Sequence, residues 1–288
     1  MTNTRYADDI LVYAKSLDAL TFMMEILDEE LAAIGLRMHD TKTKILTSAV
    51  NPQFHWVEIR GMMIEILKRD RSHKYLGRLL SMDPGKRIGI ELQNRVRMCW
   101  AKFHQHRRWL VNLEVPVRFR LRLFDAICSP TILFGSAVLP LNVNQRQSLD
   151  ILQRKMLRLM VGWRRVPGEE WSETMTRMTL RVKNACDQHP IKSWEESFHR
   201  NRWRYASHVV QNVKMRWPLV LSQWDPSVKL DDNVVPYRKP GRLFLRWDDS
   251  LHDYCGYEWS LPHWTDMKDW DDQRIMNLED KYVQYCML

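Results

Sequence analysis

The residues best suited to chemistry stand near the start of the chain, in Arg5-Tyr6-Ala7-Asp8-Asp9-Ile10-Leu11-Val12. The run reads as strand, tight polar turn, strand, because Ile10, Val12 and Tyr13 favour β structure and Ala7-Asp8-Asp9 interrupts them. Two adjacent carboxylates in such a turn repel each other unless a cation sits beside them. Mg²⁺ suits that position, since it takes hard carboxylate oxygens and leaves room for phosphate. Two metals about 3.5–4 Å apart align the attacking and leaving oxygens of phosphoryl transfer. A solvated Asp-Asp turn is the plainer reading, but the preceding Tyr6 and the flanking apolar strand make the pattern more specific than two aspartates alone. Other chemistries have less support. The five cysteines, at 99, 128, 186, 255 and 286, are odd in number and form no C-x-x-C unit. Cys186 and His189 lack a second pair to complete a zinc site. Asp225-Pro226 and Asp248-Asp249 lack the nearby acidic-x-Lys pattern of a metal nuclease.

The elements that would position these residues follow from periodicity. Ser16 is placed to cap a helix whose apolar residues Leu20, Met23, Leu27, Leu31 and Ile34 recur at three and four, with Gly35 as its stop. Short strands are expected at 45–47, 54–60, 62–67 and 74–80, the last with a turn at Gly77. After Pro84-Gly85 the period turns helical, with helices expected at 88–110, 116–128, 144–161, 172–187 and 190–213. The last 70 residues read as irregular, punctuated by Pro218, Pro226, Pro236, Pro240 and Pro262. The fold class is therefore α+β, in three parts: a small mixed segment at 1–83, a basic helical one at 84–165, and a Trp-rich, acidic-tailed one at 166–288.

Charge adds a ligand class. The 288 residues carry a formal +9. From 248 onward ten acidic residues face three basic ones, a net −7 that leaves +16 on the rest. Half of that excess lies in 86–122, where Arg outnumbers Lys eight to two and Arg107-Arg108-Trp109 adds an aromatic ring. Arginine forks suit phosphates and aromatic rings suit bases, so the run points to nucleic acid ahead of a merely solvated helix face. The longest mostly apolar run, 131–141, is too short for a membrane span, and no secretory signal is visible. An intracellular protein of nucleus or cytoplasm is expected. Ten of the 13 tryptophans lie from Trp163 onward, and the stripe Trp194, Phe198, Tyr205 and Val209 reads as core packing.

Together these motifs resemble the reverse transcriptase family, closest to polymerases of non-LTR, LINE-type retrotransposons. Tyr6-Ala7-Asp8-Asp9 looks like motif C, the palm hairpin. Gly35-Leu36-Arg37-Met38-His39-Asp40-Thr41-Lys42-Thr43 is similar to motif D, a helix end followed by a Lys-Thr strand, with His39 where Asn is usual. Lys74-Tyr75-Leu76-Gly77 resembles motif E, the primer grip. The stretch from Pro84 to about Val161 looks like the thumb. Residues 202–209, Pro240-Gly241-Arg242 and Arg246-Trp247-Asp248-Asp249 are similar to the region beyond it. The resemblance implies that Asp8 is a Mg²⁺ ligand with Asp9 as its carboxylate neighbour, and that Tyr6 lines the site near the primer end. It places Lys42 near the departing pyrophosphate, with an ordinary exposed strand lysine as the alternative. Tyr75, Leu76 and Gly77 would support the primer. Arg95, Arg97, Lys102, Arg107 and Arg108 would face the backbone of an RNA template and DNA primer. Deoxynucleotides are the substrate the resemblance implies, and no protein partner is indicated.

The family's third carboxylate, from motif A, precedes motif C, as do motif B and the fingers; here only five residues precede Tyr6. The expectation is therefore an RNA-directed DNA polymerase in lineage, truncated and inactive alone. The alternatives are a non-catalytic module binding RNA or RNA–DNA duplex, or a non-functional retroelement remnant.

Overall fold

The computed structural model describes residues 3–49, 52–211, 216–223, 245–261 and 263–288. Asp225-Pro226, Pro236, Pro240-Gly241-Arg242 and Pro262 lie outside the described residues. The architecture is α+β, and the chain divides into two compact units, 1–94 and 95–288.

The first unit opens with a hairpin of β1 (Asn3–Tyr6) and β2 (Asp9–Val12), paired antiparallel with Tyr6 opposite Asp9. Helix α1 (Leu17–Ala33) follows, its first turn capped by the Ser16 hydroxyl, which accepts from the Ala19 amide at 3.2 Å. Gly35, at φ +78°, closes its C-terminus, with the Leu36 amide donating back to the Leu31 carbonyl. A three-stranded sheet comes next, in the order β3 (Lys44–Leu46), β5 (Met62–Leu67), β4 (Trp56–Ile59), with β3 parallel and β4 antiparallel to β5. Met24 of α1 packs with Ile45, Ile59, Ile64 and Ile66 to form the buried core of this unit. The expected strand over 74–80 is two strands, β6 (Ser72–Tyr75) and β7 (Arg78–Ser81), because Leu76 and Gly77 fold into a hairpin loop.

Helix α2 (Arg87–Gln105) begins in the first unit and continues into the second. The helix expected over 88–110 breaks after Gln105, and beyond His106 a separate turn follows, α3 (Arg107–Leu110). Helix α4 (Val117–Ile132) outruns its expected end and carries Pro130 inside it. Buried Cys128 and Ile132 keep its last turn on the core. A 3₁₀ turn (Ser136–Val138), α5 (Val143–Met160), α6 (Trp171–Gln188) and α7 (Trp194–Gln211) complete the helical body. Its centre holds Phe103, Phe124, Met156, Trp194 and Phe198. Trp194 stacks on Phe124 at 5.7 Å and donates its indole N–H to the Ser129 hydroxyl at 2.8 Å.

Among the described residues the C-terminal stretch is largely helical, where its prolines suggested irregular chain. Helix α8 (Arg216–Gln223) is followed by α9 (Asp249–Trp259), a 3₁₀ segment (Trp264–Asp269), α10 (Asp272–Asn277) and α11 (Glu279–Met287). These short helices bury Leu251, Tyr254, Cys255, Trp264, Met267, Ile275, Tyr282 and Val283 against Trp203, Ala206, Val209 and Val210 of α7. Packing of aromatic and aliphatic side chains supplies what local helix propensity does not.

Candidate functional site

Ala7 and Asp8 form the two-residue loop of the first hairpin. Such loops need a positive φ, and Ala7 supplies it at +51°, which costs an alanine about 1–2 kcal/mol. The loop lifts the Asp8 and Asp9 carboxylates into solvent, and Tyr6 beside them is also exposed. Across the hairpin, the Thr4 hydroxyl lies 3.3 Å from the Tyr13 hydroxyl. Asp8 and Asp9 offer hard oxygen donors, yet among the described residues no three His, Cys, Asp or Glu side chains converge on a metal position. The donor set does not make a two-metal centre within these residues.

Lys42 is exposed and lies in a turn, not on the expected strand, which starts at Lys44. His39 organises that turn: its carbonyl accepts from the Thr43 amide at 2.9 Å and the Thr43 hydroxyl at 2.8 Å, and its ring meets the Thr41 hydroxyl at 3.2 Å. Among the described residues no hydrogen bond or ion pair joins Lys42 to Asp8 or Asp9. His73 of β6 reaches the Lys42 backbone, and burial together with the Lys44 charge pushes its pKa down.

Tyr75, Leu76 and Gly77 form a second tight turn, with Leu76 at φ +46° and Gly77 at +78°. Both loop residues are left-handed, the geometry that suits a two-residue hairpin, although a leucine adopts it at a cost. Glu91 of α2 anchors this hairpin. Its carboxylate accepts the Leu79 amide at 2.7 Å and lies 3.9 Å from the Arg78 guanidinium. In the sequence Glu91 is merely one of two acidic residues in a basic run; nothing there signals that it is buried.

The basic run separates into two kinds of residue. Arg97, Lys102, Arg107 and Arg108 are exposed, as expected of phosphate contacts. Arg95 is not: it is 3% exposed, and its guanidinium stacks on the Phe134 ring at 4.5 Å, so it leaves the set of phosphate contacts. Helix periodicity explains the difference, because Arg95 shares the inward face of α2 with Cys99 and Phe103. Arg120 is also internal, its Nε donating to the Val115 carbonyl at 2.8 Å and its Nη1 to the Met160 carbonyl. Arg118 and Arg122 join the exposed set, one turn apart on α4, which packs against α3. Arg108 lies over the Trp109 ring at 5.1 Å and Arg118 over Phe119 at 4.6 Å, and both rings are nearly half exposed. Among the described residues Arg107, Arg108, Arg118 and Arg122 have no carboxylate partner. Elsewhere arginines are consumed by the fold: Arg200 and Arg204 pair with Glu279, and Arg177 with Glu169.

Comparison with known proteins finds a likeness. The chain is 25% identical over 252 residues, 87% of its length and 84% of the relative's, to a protein of Caenorhabditis elegans described as transposon-derived. No family model matches, and no solved structure matches. No helix among the described residues is long and apolar enough to cross a membrane.

Proposed function

We propose that this chain belongs to the reverse transcriptase lineage of non-LTR retroelements, and that its own activity is to hold an RNA–DNA template–primer duplex on the exposed basic residues of α2, α3 and α4. The observation that carries the reading is the set Arg107, Arg108, Arg118 and Arg122, left without carboxylates among the described residues and interleaved with exposed Trp109 and Phe119. Forked guanidinium groups meet phosphate oxygens, and the rings offer stacking surfaces; this holds a duplex without reading its sequence. Arg97 and Lys102 extend the same contact. The Asp8-Asp9 hairpin is the family's metal-holding turn in this reading. Asp8 and Asp9 would hold Mg²⁺ for nucleotidyl transfer to a primer end supported by Tyr75, Leu76 and Gly77, with Lys42 beside the leaving pyrophosphate. The family's chemistry also needs a third carboxylate. Among the described residues none converges with Asp8 and Asp9, and a centre short of such a group is slower by orders of magnitude, so in this reading duplex binding is the activity these residues carry.

Fluorescence anisotropy with a labelled RNA–DNA duplex tests the binding. Affinity should fall roughly 10³-fold or more between 50 and 200 mM salt if about six phosphates are neutralised. Arg107→Ala with Arg108→Ala should weaken binding and flatten that slope. Absent or salt-insensitive binding overturns the proposal. In the same tubes, Mg²⁺-dependent primer extension should be missing. Extension that Asp8→Ala abolishes would show that the two aspartates already sit in a complete centre.

A further inference from the structure

A second surface, in the first unit, has the makings of a ligand site. The turn joining β5 to β6 is closed by the Arg71 amide donating to the Lys68 carbonyl at 2.9 Å. A turn of this kind brings its first and fourth residues close together, so Lys68 and Arg71 are neighbours. They line a cavity of about 570 Å³ together with His55, Trp56 and Glu65. Trp56, on β4, is half exposed. The one carboxylate of this lining is already answered: Lys44 binds Glu65 at 3.0 Å, the two being partners in the β3–β5 register, and the same ammonium lies 5.9 Å from the Trp56 ring centre. Lys68 and Arg71 have no carboxylate partner among the described residues. The Ile66 amide donates to the His55 carbonyl at 2.8 Å, which fixes the chain entering β4 beside β5.

We infer that this cavity takes a single-stranded segment of nucleic acid, one base stacked on Trp56 and its neighbouring phosphates on Lys68 and Arg71. An exposed indole beside paired cations is the combination that single strands use, because every base has a π face and every nucleotide a phosphate. The inference rests on the nucleic-acid reading given above and uses none of its residues.

The test measures anisotropy of the full chain with a blunt RNA–DNA duplex and with the same duplex carrying an RNA overhang. The overhang should tighten binding by on the order of tenfold. Trp56→Ala, and separately Lys68→Gln with Arg71→Gln, should erase that gain and leave blunt-duplex affinity unchanged, whereas Trp56→Phe retains most of it. Arg107→Ala with Arg108→Ala should weaken both probes but keep the gain, so failure of the helical interface and failure of this site are told apart. An overhang that adds nothing, or a gain that survives both sets of substitutions, overturns the inference. So does a gain competed away by a free mononucleotide at micromolar concentration, which would assign the cavity to nucleotides and not to a strand.

Discussion

Leu76 holds a left-handed backbone at φ +46° beside Gly77, and its side chain is partly exposed. Asparagine tolerates that conformation far better than leucine, and Asn-Gly is the favoured pair for this loop. Leu76→Asn should therefore stabilise the first unit by about 0.5–1 kcal/mol, read as a higher urea midpoint by far-UV circular dichroism. His199 makes the opposite kind of prediction. It is buried on α7, neither ring nitrogen has a hydrogen-bond partner among the described residues, and burial, helped by the Arg202 and Arg146 charges, pushes its pKa down to about 3. The unfolded chain then binds a proton below pH 6.5 that the folded chain refuses until near pH 3. Stability from this residue is complete above pH 6.5 and is lost as pH falls through that window, by at most about 1.4 kcal/mol per pH unit. Unfolding midpoints at pH 7 and pH 5 should converge in His199→Leu relative to the parent. An unchanged difference would place the pH dependence elsewhere. Single residues were unevenly legible. The Asp8-Asp9 turn is visible because turn chemistry is local. Burial of Arg95 and solvation of Arg97 depend on which face of α2 meets the core, and a run of arginines hides that face.

At the scale of elements, α7 and α11 are joined by more than their apolar contacts. Arg200 reaches Glu196 at 2.9 Å, Glu279 at 2.6 Å and Asp280 at 2.7 Å, while Arg204 takes both oxygens of Glu279. These two arginines hold the Glu279 pKa below the usual carboxylate range despite partial burial, which works in the other direction. Glu279→Gln should lower stability by about 1 kcal/mol, seen as an earlier loss of the near-ultraviolet dichroism of the Trp203–Tyr282 stack. Among the described residues the acidic tail is thus paired in part with α7. Elements with strong periodicity were legible to within a few residues: α5 and β4 lie close to where helical spacing and alternation put them. The C-terminal helices were not, because each is short and weakly periodic alone. Only their shared burial around Trp203, Tyr254, Trp264 and Tyr282 makes them helical.

For the whole molecule, electrostatics should act on two separable quantities. The ion pairs that support the fold are partly buried, Arg200 and Glu279 among them, and salt screens such pairs weakly. Arg107, Arg108, Arg118 and Arg122 are solvated and without carboxylates among the described residues, so their attraction for a polyanion is open to screening. Raising salt from 50 to 200 mM should collapse duplex affinity while moving the urea midpoint little. A parallel fall in both would mean that the exposed arginines also hold the fold together. The +16 body and −7 tail foreshadowed this division, though not that Arg95 and Arg120 spend their charge inside.

The distribution of tryptophan makes the two units optically unequal. Trp56 is the one indole in residues 1–94, while the other twelve lie beyond them. Intrinsic emission therefore reports almost wholly on the helical unit, and melting of the carboxylate hairpin and its sheet would pass nearly unseen by it. Subtracting the spectrum of Trp56→Phe from that of the parent would isolate a single fluorophore. It stands on the sheet edge, where a stacked base would quench it.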